Sequence, residues 1–204
     1  MRTSSEIETT SKRAARAAGF TWGIAEEVGK CIKNLELSKI SGLENLYNYL
    51  LKIKNQKVNG LSRIEKENGL EQGNLCPIYT GVALLDSAHK VHELKTLTIK
   101  SLDFPMLLIP FLNRLSYKIG KMIEVKFDDF EILLNLNNYI SSNNDLRKQV
   151  LKSTALLSIN VIDNNDTFDS KVWDKLYELS TETFVEESDS LKANAAGAGL
   201  SDND

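Results

Sequence analysis

The stretch "MIEVKFDDFEILLN", residues 122–135, decides the fold class. Ile123, Val125 and Phe127 alternate with Glu124 and Lys126, which is the two-residue period of a half-buried strand. Asp128 and Asp129 interrupt the run, and a second apolar run follows. Two strands joined by a tight polar turn read as an antiparallel hairpin. Working outward, "LKTLTIK" (residues 94–100) alternates in the same way, with Leu97 and Ile99 on one side and Thr96 and Thr98 on the other. "TALLSINVI" (154–162), after the "SSNND" turn, reads as a further strand. Between them "FPMLLIPF" (104–111) is a continuous apolar run, read as a strand buried on both faces. Pro105 and Pro110 restrict its pairing, because neither has an N–H to donate.

The flanks have the helical period instead. Thr3 with Glu6, and Ser5 with Glu8, are candidate capping boxes before the alanine-rich "SKRAARAA" (11–18), and Gly19 is a natural left-handed stop. Ile24, Ala25, Val28, Ile32 and Leu35 place a second helix from about Thr21 to Ser38. Ser41 with Glu44 opens a third, striped by Leu43, Leu46, Tyr47, Leu50 and Leu51. Residues 54–75, with Gly60, Gly69 and Gly73, read as a long loop of the kind that is mobile or functional. "VALLDSAHKVHEL" (82–94) reads as one helix. "DSKVWDKLYELSTETF" (169–184) closes the body with a helix whose Val172, Leu176 and Leu179 share a face. Helices, then strands, then a helix give an α+β class: N-terminal helices packed on a mostly antiparallel sheet, a C-terminal helix and a motif-bearing tail. The expected organisation is one α+β domain over residues 1–184, with an acidic tail over 185–204.

The bulk numbers suit that reading. The chain has 204 residues, 42% of them hydrophobic and 26% charged, which is enough to bury a core without staples. The net charge of −3 argues against general nucleic-acid binding. That charge is uneven: from Thr181 onward six acids face one base, Lys192, so the remainder carries about +2. The opening "MRTSSEIETT" has no apolar core and does not read as a signal peptide. "FPMLLIPF" is too short to span a bilayer, so no membrane partner is expected. Cys31 and Cys76 lie far apart and form no CxxC pair. With no secretion signal they point to a reducing cytoplasm.

Three candidate sites emerge. In "KRAARAAGFTWGIAEEVGKC" (12–31) Arg13 and Arg16 sit one helical turn apart and can converge on one anion. Gly19 and Gly23 bracket a turn that opens a helix. Trp22 would form a wall, and Glu26 or Glu27 a base or metal ligand. The plainer alternative is close helix packing, with Trp22 plugging the corner and Glu26 paired to Lys30. In "DSAHKVHE" (86–93) Asp86, His89 and Glu93 share a helical face, the donor set of a divalent metal, against the plainer alternative of a solvated face. The third is the end, "AAGAGLSDND" (195–204). Gly197 and Gly199 allow close backbone approach, while Asp202, Asp204 and the terminal carboxylate concentrate negative charge suited to Mg²⁺, Ca²⁺ or arginine. A disordered solubilising end is the alternative. Cys76 before Pro77 is a possible nucleophile or a buried structural thiol. No HExxH, paired CxxC, P-loop or GxSxG pattern is present, so no cofactor is assigned.

"RAARAAGFTWGIAEEVGK" (13–30), "LCPIYTGVALLD" (75–86) and "TFVEESDSLKANAAGAGLSDND" (183–204), in that order, resemble an uncharacterised bacterial family of unknown function, DUF 3726. The resemblance implies a compact cytoplasmic bacterial protein with no assigned reaction, and a defined place for the tail. Two functions follow as expectations. One is a ligand-binding domain or enzyme that takes a small anionic ligand or divalent metal. Its site would lie between Arg13, Arg16, Trp22, Glu26 and Glu27 of the opening helices and Gly197, Gly199, Asp202 and Asp204 of a docked tail. The other is a non-catalytic accessory protein whose tail inserts into a partner, with residues 54–75 forming part of the interface.

Overall fold

The structure, a computed structural model, describes residues 2–54, 56–134 and 140–183. Helix α1 (Ser4–Ala17) starts with a complete capping box: Thr3 Oγ1 accepts from the Glu6 N–H at 3.2 Å, and the Glu6 carboxylate accepts from the Thr3 N–H at 2.8 Å. Gly19, at φ 103°, adopts the left-handed conformation that ends α1 and redirects the chain. The Phe20 N–H then closes the turn onto the Ala15 carbonyl at 3.2 Å. Helix α2 (Trp22–Leu37) is capped by Thr21 and folds back along α1. Ser11, Ala15, Ala25 and Gly29 are the buried small residues of this hairpin. Helix α3 (Gly42–Lys52) buries Leu46 and Tyr49 and leaves Leu43, Tyr47 and Leu51 exposed, so its apolar stripe is wider than the face it packs.

The strands are β1 (Glu67–Asn68), β2 (Thr96–Asp103), β3 (Met122–Phe127), β4 (Phe130–Leu134), β5 (Ile140–Ser142) and β6 (Ser153–Ile162). They form one sheet in the order β1-β2-β6-β3-β4-β5. Every pairing is antiparallel except β1 on β2. The β3–β4 hairpin is as read: Val125 pairs with Ile132, Phe127 pairs with Phe130, and Asp128 makes the turn at φ 47°. Leu97, Ile99, Ile123, Val125, Leu157 and Ile159 point to the buried face, while Lys100, Glu124, Lys126 and Asn160 stand on the other. The class is therefore α+β, with the sheet mostly antiparallel.

"FPMLLIPF" is not a strand. Phe104 sits at φ 39°, Pro105–Leu107 form a single 3-10 turn, and helix α6 (Ile109–Ile119) follows. An all-apolar run has no period to separate a buried strand from a buried helix. The prolines carried the missing signal, since both occupy first-turn positions where a helix needs no N–H donor. The 82–94 run is also two helices. α4 (Pro77–Asp86) and α5 (Ala88–Leu94) meet at Ser87, which parts Asp86 from His89 and Glu93. Helices α5 and α6 pack on the strands β2, β3 and β4.

The chain forms two compact units, Met1–Asn164 and Asn165–Asp204. Within the described part of the second, α7 (Ser170–Thr181) is capped by Asp169, which accepts from the Lys171 N–H at 2.9 Å. Phe168 stacks on Trp173 there, with ring centroids 5.8 Å apart.

Candidate functional site

The α1–α2 hairpin brings part of the predicted cluster together at one edge. Lys12 Nζ lies 5.7 Å from the Trp22 ring centroid and Arg16 Cζ lies 5.4 Å from it, so two cations stack against one indole. Trp22 is nonetheless 57% exposed and does not plug the corner. Phe20, almost wholly buried, fills that place. Arg16 Nη1 also donates to the Phe20 carbonyl at 3.1 Å, which holds the guanidinium over the turn. Arg13, one turn earlier on α1, is exposed and has no hydrogen-bond or ion-pair partner among the described residues.

The two glutamates do not converge. Glu26 accepts from Lys12 at 2.6 Å across the hairpin, and that hydrogen bond holds its carboxyl below the ordinary value. Glu27 turns to α6 and pairs with Arg114, and with Lys30 at 3.0 Å. Burial works to raise the Glu27 carboxyl, but the two cations outweigh it and the net shift is downward. The expected Glu26–Lys30 pair is absent because Lys30 bonds Glu27 instead. Gly23 opens α2 with open space around it. Gly197, Gly199, Asp202 and Asp204 lie outside the described residues.

The other candidates are structural. His89 and Glu93 make a local pair at 3.0 Å on the exposed face of α5, and Lys90 shares Glu93. Among the described residues no three His, Cys, Asp or Glu side chains come together as a metal would require. Cys76 is the buried N-cap of α4, where its Sγ accepts from the Tyr79 N–H at 3.4 Å, and burial pushes the thiol up. Burial pushes the Cys31 thiol up to about 12. A nucleophile needs a thiolate that a substrate can reach, and neither cysteine offers one.

Two features escaped sequence reasoning. Asp103, at the end of β2, is 6% exposed and accepts from Lys52 Nζ and Asn74 Nδ2, both at 2.6 Å. This carboxylate ties α3 and the 54–75 loop to the sheet. A lone acid beside a long apolar run was its one sequence signal. The second feature is a groove. Ala18, Gly19 and Phe20 line a depression of about 290 Å³ with Lys57, Val58 and Tyr79. Val58, Asn59 and Tyr79 also line a neighbouring one of about 420 Å³, which runs along α4 to Asp86. Such a surface depends on how the loop packs, and periodicity carries no information about that.

The α1–α2 hairpin edge thus sets Lys12 and Arg16 against the Trp22 indole, beside the groove, on an α+β domain. Residues 2–84 match the model of a family described as a protein of unknown function, DUF3726. The resemblance read from the first two motifs is thus borne out over that span, which covers the hairpin, the loop and most of α4. Searches of curated proteins and of solved structures each found no match. No helix among the described residues is long and apolar enough to cross a membrane.

Proposed function

We propose that this domain binds an anionic group, a carboxylate or phosphate, at the edge formed by Arg13, Arg16 and Trp22. The observation that carries the reading is the indole of Trp22, exposed and flanked by Arg16 and Lys12, with the unpaired Arg13 one turn away. A guanidinium already held over an aromatic face loses little freedom when it takes an anion. Glu26 and Glu27 support binding rather than proton transfer. Both are carboxylates kept ionised by cations, and a general base poised near neutral pH needs the opposite shift.

The test uses Trp22 as its own reporter in a Trp173→Phe background. Titration with inorganic phosphate and with citrate is expected to give a saturable change in emission that weakens as salt rises. Arg13→Ala with Arg16→Ala is expected to weaken it by about tenfold or more, because charge-assisted hydrogen bonds are lost. Arg16→Lys, which keeps the charge, serves as the folding control. An emission change that persists in the double variant, or no change and no rise in melting temperature at saturating anion, overturns the reading.

A further inference from the structure

We infer that the groove between the α1–α2 turn and the 54–75 loop receives an acidic peptide segment of a partner protein, anchored by one apolar side chain. The proposal rests on the anion-binding reading through Arg16 alone, which stands over the turn that lines the groove.

The floor is built and partly apolar. Phe20 and Tyr79 contact each other with ring centroids 5.3 Å apart, and Val58, Leu61 and Val82 are half-buried around them. The two depressions share Val58, Asn59 and Tyr79, so they are parts of one elongated channel. The loop wall is pressed against α4: a Cβ at Gly60 would lie 2.4 Å from Tyr79 Cβ. That wall is also secured at its far end, where Leu75 bridges Leu102 in parallel and the Cys76 N–H donates to the Asn59 carbonyl at 2.8 Å. A groove formed in advance spares its ligand part of the ordering cost.

The rim selects the charge. Lys57 lines the first depression, is exposed and makes no ion pair among the described residues. Arg16 stands beside it, bonded to the carbonyl of Phe20, which lines the same depression. Asp86, at the far end, is the one carboxylate among the residues lining either depression. An apolar floor within a charged rim is the anatomy of a protein interface, and unpaired cations steer and select acidic partners. Asn59 and Gln56 offer amides to a peptide backbone, which suits an extended chain better than a compact metabolite.

The probe is a displayed library of random dodecapeptides selected on the full-length protein. Enriched sequences are expected to carry net negative charge and at least one large apolar residue. A synthetic copy of the best should lose tenfold or more in affinity on Val58→Asp, and a smaller factor on Lys57→Glu. Circular dichroism checks that both variants fold, and exposed Lys57 is the substitution least able to disturb folding. Changing the peptide's apolar residue to serine should also weaken binding. No enrichment, a basic or uncharged consensus, or indifference to both variants overturns the inference. So does enrichment seen only once residues 184–204 are removed, since that would assign the groove to this chain's own end. Phosphate binding at Trp22 without peptide enrichment sinks this proposal and leaves the anion reading standing. Peptide binding without a phosphate response does the reverse.

Discussion

At Gly29 α2 lies close against α1. A Cβ there would lie 2.7 Å from the Glu8 carbonyl oxygen, which is backbone and cannot swing aside. Gly29→Ala gains helix propensity of about 1 kcal/mol, yet forces the helices apart at a net cost of about 1–2 kcal/mol. Thermal unfolding should show a melting temperature lower by several degrees, and the Trp22 anion response should weaken with it. Glu27 makes a second residue-scale prediction. Its carboxyl is depressed below the ordinary 4.5, so the ionised form favours the fold. Its stabilisation is present above that value and fades as pH falls through the lower, folded-state value. The side chain is only 24% exposed and is shared by two cations, so Glu27→Gln should cost about 1–2 kcal/mol at neutral pH. Stability curves of wild type and variant should converge on acidification below pH 4.5. The thiols give a third: Cys31 and Cys76, both buried, should stay silent to a disulfide reagent until the protein is unfolded. Arg16 and Trp22 could be read as neighbours because helical spacing and a short turn place them together. The partners of Glu26 and Glu27 could not. Cross-helix register, which no local pattern encodes, set Lys12 and Arg114 against them.

Elements were legible wherever the period was clean. The capping box of α1, the β3–β4 hairpin and strand β6 each followed from local pattern. Helix α6 did not, because its first turn is uniformly apolar and only proline position separates the alternatives. β1 is two residues long, too short to have a period, and its existence depends on the edge of β2. Strand β6 also allows a test of which face carries the energy. Ile159 is fully buried between β2 and β3, and Ile159→Ala should cost about 2–5 kcal/mol. Leu156, half exposed on the opposite face, should tolerate alanine within about 0.5 kcal/mol. Denaturant unfolding of the two variants measures the difference, and equal costs would mean that both faces are covered.

For the molecule as a whole, the class was legible from the succession of helical and alternating segments, while the strand order was not. Nothing local tells β6 to insert between β2 and β3. Only the finished packing of the buried face does so. The same insertion has a consequence for how the protein is made. Of the described strands, the one that stitches the two halves of the sheet together is the last to leave the ribosome. Until residue 162 emerges, the nascent chain holds two raw edges with nothing between them, and each can pair with a stranger. Release at residue 152 should therefore yield aggregates, whereas a chain ended at Asn164 should refold cooperatively. This protein is safe from self-association only once β6 has joined both of its neighbours.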